Sequence, residues 1–296
     1  MPKFKFVLLF AFLNFITIVF SSGFTSYNYL HNGADWTEEC KNGTEQSPID
    51  INTDKVIKCD PNMMIDIRWS TSNLHSETEN LLVTYKSFGN WTTLYASDYD
   101  GDVYGYDASQ FHFHSPSEHT INGAYYDLEI HIVHGLRSEF LAENPKRNAA
   151  AIGILFTVDD SAGDNPFFVQ YDPTSIEPFT LNMSAALGSQ IVKPIQYYHY
   201  LGSLTTPPCS EIVNWYVLAN PLKISSKQLA KFTSAWSANY TFAHGNGNNR
   251  IIMPANGRSV KIGGLSINAC KEDCVSFFGF FVLFLFLIYV IFQVVP

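Results

Sequence analysis

Gln110-Phe111-His112-Phe113-His114-Ser115-Pro116-Ser117-Glu118-His119 opens with five residues that alternate polar and apolar. As a β-strand, this run places Gln110, His112 and His114 on one face and Phe111 and Phe113 on the other. Two imidazoles on one face are within reach of a single metal ion, but a catalytic Zn²⁺ normally takes three protein ligands. The third is expected from a neighbouring segment.

Glu129-Ile130-His131-Ile132-Val133-His134 is a second alternating run. It sets Glu129, His131 and Val133 on one face and Ile130, Ile132 and His134 on the other. Asn122-Gly123 between the two runs is a hairpin signal and predicts antiparallel neighbours. His112, His114 and His131 then converge, with Gln110 and Glu129 beside them to take the proton on each second ring nitrogen. A lone strand histidine is usually solvated or structural, and a purely structural zinc usually has four protein ligands, often including Cys. A three-histidine set with an adjacent carboxylate fits neither pattern as well as an open metal site.

On these residues the chain resembles the α-class carbonic anhydrases. Gln-x-His-x-His, Ser-Glu-His, Glu-x-His-x-Val-His and Gly202-Ser203-Leu204-Thr205-Thr206-Pro207-Pro208 occur in that family's order. Gln46-Ser47-Pro48-Ile49-Asp50 and Asn248-Asn249-Arg250 match as well. The likeness extends over residues 24–265. It implies a zinc enzyme that interconverts CO₂ and bicarbonate, with Zn²⁺ on His112, His114 and His131.

The resemblance also implies that Thr205 orients the nucleophile through Glu118, and that Thr206 lines the same rim. Val133, Leu204, Val213 and Trp215 wall the CO₂ pocket, with Ala151 where the family usually has Val. Asn248 supports His114 through its carbonyl, and Arg250 is structural. His119 and His134 are expected to be hydrogen-bonding residues, not ligands. Tyr27 or Tyr29 fills the family's rim tyrosine. By the same resemblance to extracellular members, Cys40 and Cys209 form a disulfide; Cys59, Cys270 and Cys274 have no assigned partners.

The proton shuttle is where the sequence departs furthest from the family. The usual Asn-Gly-His is here Asn73-Leu74-His75, followed by extra residues 76–80 before a strand expected at 81–85. His75 is the candidate shuttle, and a solvated loop histidine is the alternative.

The chain has 296 residues and a formal charge of −9. Without a basic cluster, that charge argues against a nucleic-acid partner. Residues 1–23 carry Lys3 and Lys5, an apolar run and then small residues, the layout of a secretory signal peptide. Export permits disulfides and glycans at the Asn-x-Ser/Thr sites Asn42, Asn90, Asn182 and Asn239. Residues 24–265 have the size of one large domain. Short apolar runs at 151–156 and 212–218 and a helical stretch at 226–236 make the fold mainly β. The resemblance sharpens this to a large twisted, mostly antiparallel central sheet with short peripheral helices and a conical zinc cleft.

Residues 266–296 include 275–295, an uncharged stretch long enough as a helix to span a bilayer. No Lys or Arg follows it, which favours a cleaved glycolipid-anchor signal near Asn268-Ala269 over a single-pass helix. The expected location is the cell surface. A surface binding module that keeps the fold without activity, and a zinc ester hydrolase, stand as alternatives.

Overall fold

The computed structural model describes residues 27–71, 74–76, 78–80, 85–143, 145, 147–175, 177–237, 243, 245 and 247–265. The expected signal sequence, the C-terminal apolar segment, Asn73, Asn239, Cys270 and Cys274 lie outside them. Among the described residues, no helix is long and apolar enough to cross a membrane.

The strands in chain order are β1 (Asp50–Ile51), β2 (Ile57–Lys58), β3 (Ile65–Trp69), β4 (Leu74–Ser76), β5 (Thr78–Asn80), β6 (Tyr85–Phe88), β7 (Thr92–Ser97) and β8 (Val103–His114). They continue with β9 (Thr120–Ile121), β10 (Leu128–Leu136), β11 (Ala149–Val158), β12 (Phe179–Leu181), β13 (Tyr197–Gly202), β14 (Val213–Leu218), β15 (Leu222–Ile224) and β16 (Lys261–Gly263). The α-helices are α1 (Glu39–Asn42), α2 (Pro166–Gln170), α3 (Met183–Ala186) and α4 (Ser226–Ser237). One large sheet runs β2-β16-β13-β14-β11-β10-β8-β6-β5, with β7 pairing β8 and β3, and β15 pairing β11. Most neighbours are antiparallel; β11–β14, β11–β15 and β16–β2 are parallel.

Both faces of the sheet centre are buried, and period-2 alternation sorts the side chains between them. Phe111, Phe113, Ile130, Ile132, Ile152 and Ile154 enter the larger core. There the Phe113 ring lies 4.8 Å from Phe232 of α4 and 5.4 Å from Tyr171. Full burial of such an aromatic side chain is worth about 2–3 kcal/mol, so the Phe face of β8 fixes which way its histidines point. Ala149, Ala151, Val213, Trp215 and Val217 form a separate core on the opposite, site-bearing face.

Two local expectations differ from what forms, and a third is only partly described. Asn122 and Gly123 have φ of 51° and 78°, but their turn closes a single bridge, Ile121 to Ala124. It lies within the β8–β10 connection, whose segment β9 pairs with β1. Of the strand expected at 81–85, residues 81–84 lie outside the described residues; Tyr85 opens β6, Tyr85–Phe88, whose Ser87 and Phe88 pair with Phe111 and Gln110 of β8. His75 lies on β4, not on a loop, with Thr180 of β12 as its register partner in a small separate sheet.

Candidate functional site

β8 and β10 are antiparallel neighbours in a register that pairs His112 with His131, His114 with Glu129, and Gln110 with Val133. The shared face therefore collects three imidazoles without help from a loop. They are 8%, 0% and 1% exposed for His112, His114 and His131. One ring nitrogen from each lies within 4.8 Å of those of the other two.

Hydrogen bonds decide which nitrogens face the metal position. His112 Nδ1 donates to Gln110 Oε1 at 2.8 Å, His114 Nδ1 to the Asn248 carbonyl at 2.9 Å, and His131 Nε2 to Glu129 Oε1 at 2.9 Å. An imidazole that donates from one nitrogen offers a lone pair on the other, which leaves His112 Nε2, His114 Nε2 and His131 Nδ1 as ligand atoms. His114 Nε2 is buried with no hydrogen-bond partner. A buried acceptor left unpaired is costly, and a metal ion held with the other two nitrogens satisfies it. The donor set is that of a three-histidine zinc site.

Burial lowers the His114 pKa, favouring the neutral ligand form. At His131 burial also acts downward, but the adjacent Glu129 carboxylate outweighs it and raises the pKa. Glu129 itself is fully buried. Its Oε1 accepts from His131 and, at 2.7 Å, from His119 Nδ1. Its Oε2 accepts the backbone N–H groups of Glu118 and His119, both at 2.9 Å. Burial acts to raise its pKa, and the two imidazoles prevail, holding it well below the usual carboxylate range.

His119 is hydrogen-bonded through Nε2 to Tyr200 at 2.7 Å, and Tyr200 to Ser47 at 2.9 Å. His119, Glu129 and His131 also bring one nitrogen or oxygen each within 4.8 Å of one another, but their facing atoms are already paired through Glu129 Oε1. His134 points to the opposite face, bonded to Thr92 Oγ1 at 2.6 Å and the Ile132 carbonyl at 2.9 Å. Both have the structural role expected of them.

The apolar wall assembles across three strands: Val133 pairs with Ala151, and Ala151 with Trp215. Val213 and Leu204 join the same cluster. The Trp215 ring lies 4.7 Å from that of His131. Gly153, opposite His131 in register, carries no local sequence signal, yet a Cβ there would stand 2.9 Å from Glu129 Oε1.

Glu118 is fully buried. Its Oε1 accepts the Arg250 backbone N–H at 2.9 Å, and its Oε2 has no hydrogen-bond partner. The bond to Thr205 implied by the resemblance is therefore not formed here, although Thr205 is 4% exposed. Tyr27 hydrogen-bonds Thr206, and burial pushes its pKa up to about 12; Tyr29 is fully buried. Tyr27 is thus the tyrosine beside Thr206, a choice that sequence spacing left open.

Arg250 holds the N-terminal segment, donating to the Ser47 carbonyl at 2.6 Å and the Cys40 carbonyl at 2.7 Å. Cys40 and Cys209 form the expected disulfide across 169 residues. In the chain-entropy picture, closing a loop that long stabilises by on the order of 5 kcal/mol. Cys59 is disulfide-bonded as well, and since the other two described cysteines pair with each other, its partner lies outside the described residues. Asn42 and Asn90 are exposed. The Asn182 side chain instead caps α3, accepting from Ala185 N at 3.0 Å and donating to the Thr71 carbonyl at 2.9 Å.

Over residues 31–263 the chain matches the family described as eukaryotic-type carbonic anhydrase. It is similar to a carbonic anhydrase of Neisseria gonorrhoeae, 30% identical over 241 residues that cover 80% of this chain and 86% of the relative. It is also similar to dioscorin DB3S of Dioscorea polystachya, 30% identical over 235 residues, 76% of this chain and 78% of that one. Among solved structures, the α-carbonic anhydrase of Thermovibrio ammonificans in complex with sulfanilamide superposes with a TM-score of 0.57 at 32% identity, covering 75% of this chain and 89% of the other.

Proposed function

The chain belongs to the eukaryotic-type carbonic anhydrase family and is an enzyme of CO₂ hydration, and from that premise we propose that it works at the cell surface through Thr205, Glu118 and the wall beside Trp215. The observation that carries the reading is the buried His112, His114 and His131 set, with each second nitrogen already given to an acceptor. Zinc held there supplies Lewis acidity, lowering the pKa of a water to about 7, the figure known for carbonic anhydrases.

The protein's own groups divide the remaining work. Gln110, Glu129 and the Asn248 carbonyl fix the imidazole tautomers. Val133, Ala151, Leu204, Val213 and Trp215 keep the CO₂ position apolar, and Ala151 makes it roomier than a valine would. The unpartnered Oε2 of Glu118 is the acceptor we assign to the Thr205 hydroxyl, which orients the attacking oxygen. Thr206 and Tyr27 form the adjoining rim. His75 is the proposed proton carrier to buffer. If so, His75→Ala lowers the maximal rate in dilute buffer and an imidazole-type buffer restores it; equal rates at every buffer concentration remove His75 from the mechanism.

Export is supported by the charge and apolar layout of residues 1–23 and by two disulfides, which persist in oxidising compartments. Asn42, Asn90 and Asn239 are the proposed glycan sites, Asn182 being held by its cap, and residues 266–296 the membrane tether. A phospholipase that cuts glycolipid anchors should release the protein from membranes; retention, with the tail recovered by peptide mapping, identifies a single-pass helix.

One purified sample assayed for zinc content, CO₂ hydration and ester cleavage tests the central reading. Thr205→Ala should keep its zinc and lose hydration rate. Unchanged hydration removes Thr205 from its role, and a zinc-loaded wild type without hydration leaves a binding module.

A further inference from the structure

Residues 203–212, between β13 and β14, carry Leu204, Thr205, Thr206 and Cys209. Two chords cross this loop: Leu204 N donates to the Ser210 carbonyl at 3.0 Å, and Cys209 N to the Thr206 carbonyl at 2.9 Å. At its base sits one buried cation that the sequence motifs do not mark. Arg147, two residues before β11, is 3% exposed. Its Nη1 donates to the Gly202 carbonyl at 2.8 Å and to the Glu211 carbonyl, where the loop leaves β13 and where it returns toward β14.

Of the rest of the guanidinium, Nε has no hydrogen-bond partner among the described residues and Nη2 is held from below. Nη2 pairs with Glu45 Oε2. The Glu211 carboxylate accepts from Glu45 N at 2.6 Å and from Gln46 Nε2 at 2.9 Å, and Gln46 Nε2 also reaches the Cys209 carbonyl at 3.0 Å. A planar fork with five donors serves two carbonyls and a carboxylate together, which a lysine ammonium does not reproduce. The ligand histidines are on β8 and β10, whereas both carbonyls that Nη1 reaches are at the loop ends.

We propose that Arg147 is a positioning residue, setting the Thr205 hydroxyl by locking the two ends of the 203–212 loop together. The effect on rate rests on the role assigned to Thr205; the effect on the loop does not. Removing the fork frees the loop ends without touching the zinc ligands. Arg147→Met should therefore keep its zinc while the hydroxyl loses its fixed place.

The test uses the zinc-loaded full chain as wild type, Arg147→Met, Thr205→Ala, the double variant and Glu45→Gln. Amide hydrogen exchange should quicken in residues 203–212, the Leu204 amide included, and stay unchanged in 128–136. Arg147→Met should lower kcat/KM for CO₂ by about tenfold or more in wild type but by less than about twofold on Thr205→Ala. Glu45→Gln, which leaves the two carbonyl contacts, should remain within about twofold of wild type. Unchanged loop exchange, an equal loss in both backgrounds, or a Glu45→Gln loss equal to that of Arg147→Met would overturn the proposal. If Thr205→Ala itself keeps full hydration, the catalytic assignment fails and the exchange data still judge the clamp. Should Arg147→Met fail to fold, Arg147→Lys takes its place, and wild-type loop exchange in that variant refutes the idea.

Discussion

Glu129→Gln is the most demanding test of the metal site, because it changes charge and donor pattern with almost no change in volume. The carboxylate takes four N–H donors at 2.7 to 2.9 Å, from His119 Nδ1, His131 Nε2 and the Glu118 and His119 backbones. A glutamine amide has one acceptor oxygen, so whichever way it turns, two of these donors face an NH₂ group. If the nitrogen replaces Oε2, two buried backbone N–H groups lose their acceptor; if it replaces Oε1, His131 must shift its proton to the nitrogen meant for zinc. Two orphaned buried donors cost about 1–3 kcal/mol each, so the metal-free protein should lose about 2–6 kcal/mol of stability. Zinc affinity should fall about 10- to 100-fold. Denaturant unfolding of the metal-free protein measures the first quantity and chelator competition the second. Affinity within about twofold and stability within about 1 kcal/mol of wild type would refute the account of Glu129 as the anchor of His131. Gly153→Ala should weaken zinc in the same direction, because its Cβ displaces the carboxylate.

Three further outcomes are expected. His131→Ala should lose most zinc while His134→Ala keeps it, because alternation along β10 points the two rings to opposite faces; equal zinc loss by metal analysis would contradict the ligand set. Burial lowers the pKa of His134 and of His199 from 6.5 to about 4. Between those values the unfolded chain binds more protons, so stability is complete above pH 6.5 and falls toward pH 4, by on the order of 3 kcal/mol per histidine. Denaturant unfolding of the metal-free protein across this window should show a shallower slope in His199→Phe than in wild type; identical slopes exclude His199 as a source. Non-reducing peptide mapping should find Cys59 joined to a peptide containing Cys270 or Cys274, which would move the anchor-signal cleavage from Asn268-Ala269 to a point beyond that cysteine. Recovery of Cys59 as a free thiol would contradict this.

Sequence alone was enough for the ligands because the signal is local: a period of two puts His112 with His114, and Glu129 with His131, whatever lies around them. The same logic separated His134 from the site and gave a mainly β class. Family motifs supplied the Cys40–Cys209 pairing. Which strands adjoin is not local information. The register His112 to His131, the parallel insertion of β14 beside β11 that brings Trp215 onto His131, and the separation of β4 from the main sheet depend on how hydrophobic faces are shared among distant segments. Tyr27 rather than Tyr29 meets Thr206 because the chain buries one ring more deeply than the other. Gly153 and Arg147 show the limit most clearly. The first matters for the volume it leaves empty beside a carboxylate from another strand, and the second for carbonyls 55 and 64 residues away. Backbone carbonyls are the same at every residue, so only tertiary structure decides which of them a guanidinium reaches.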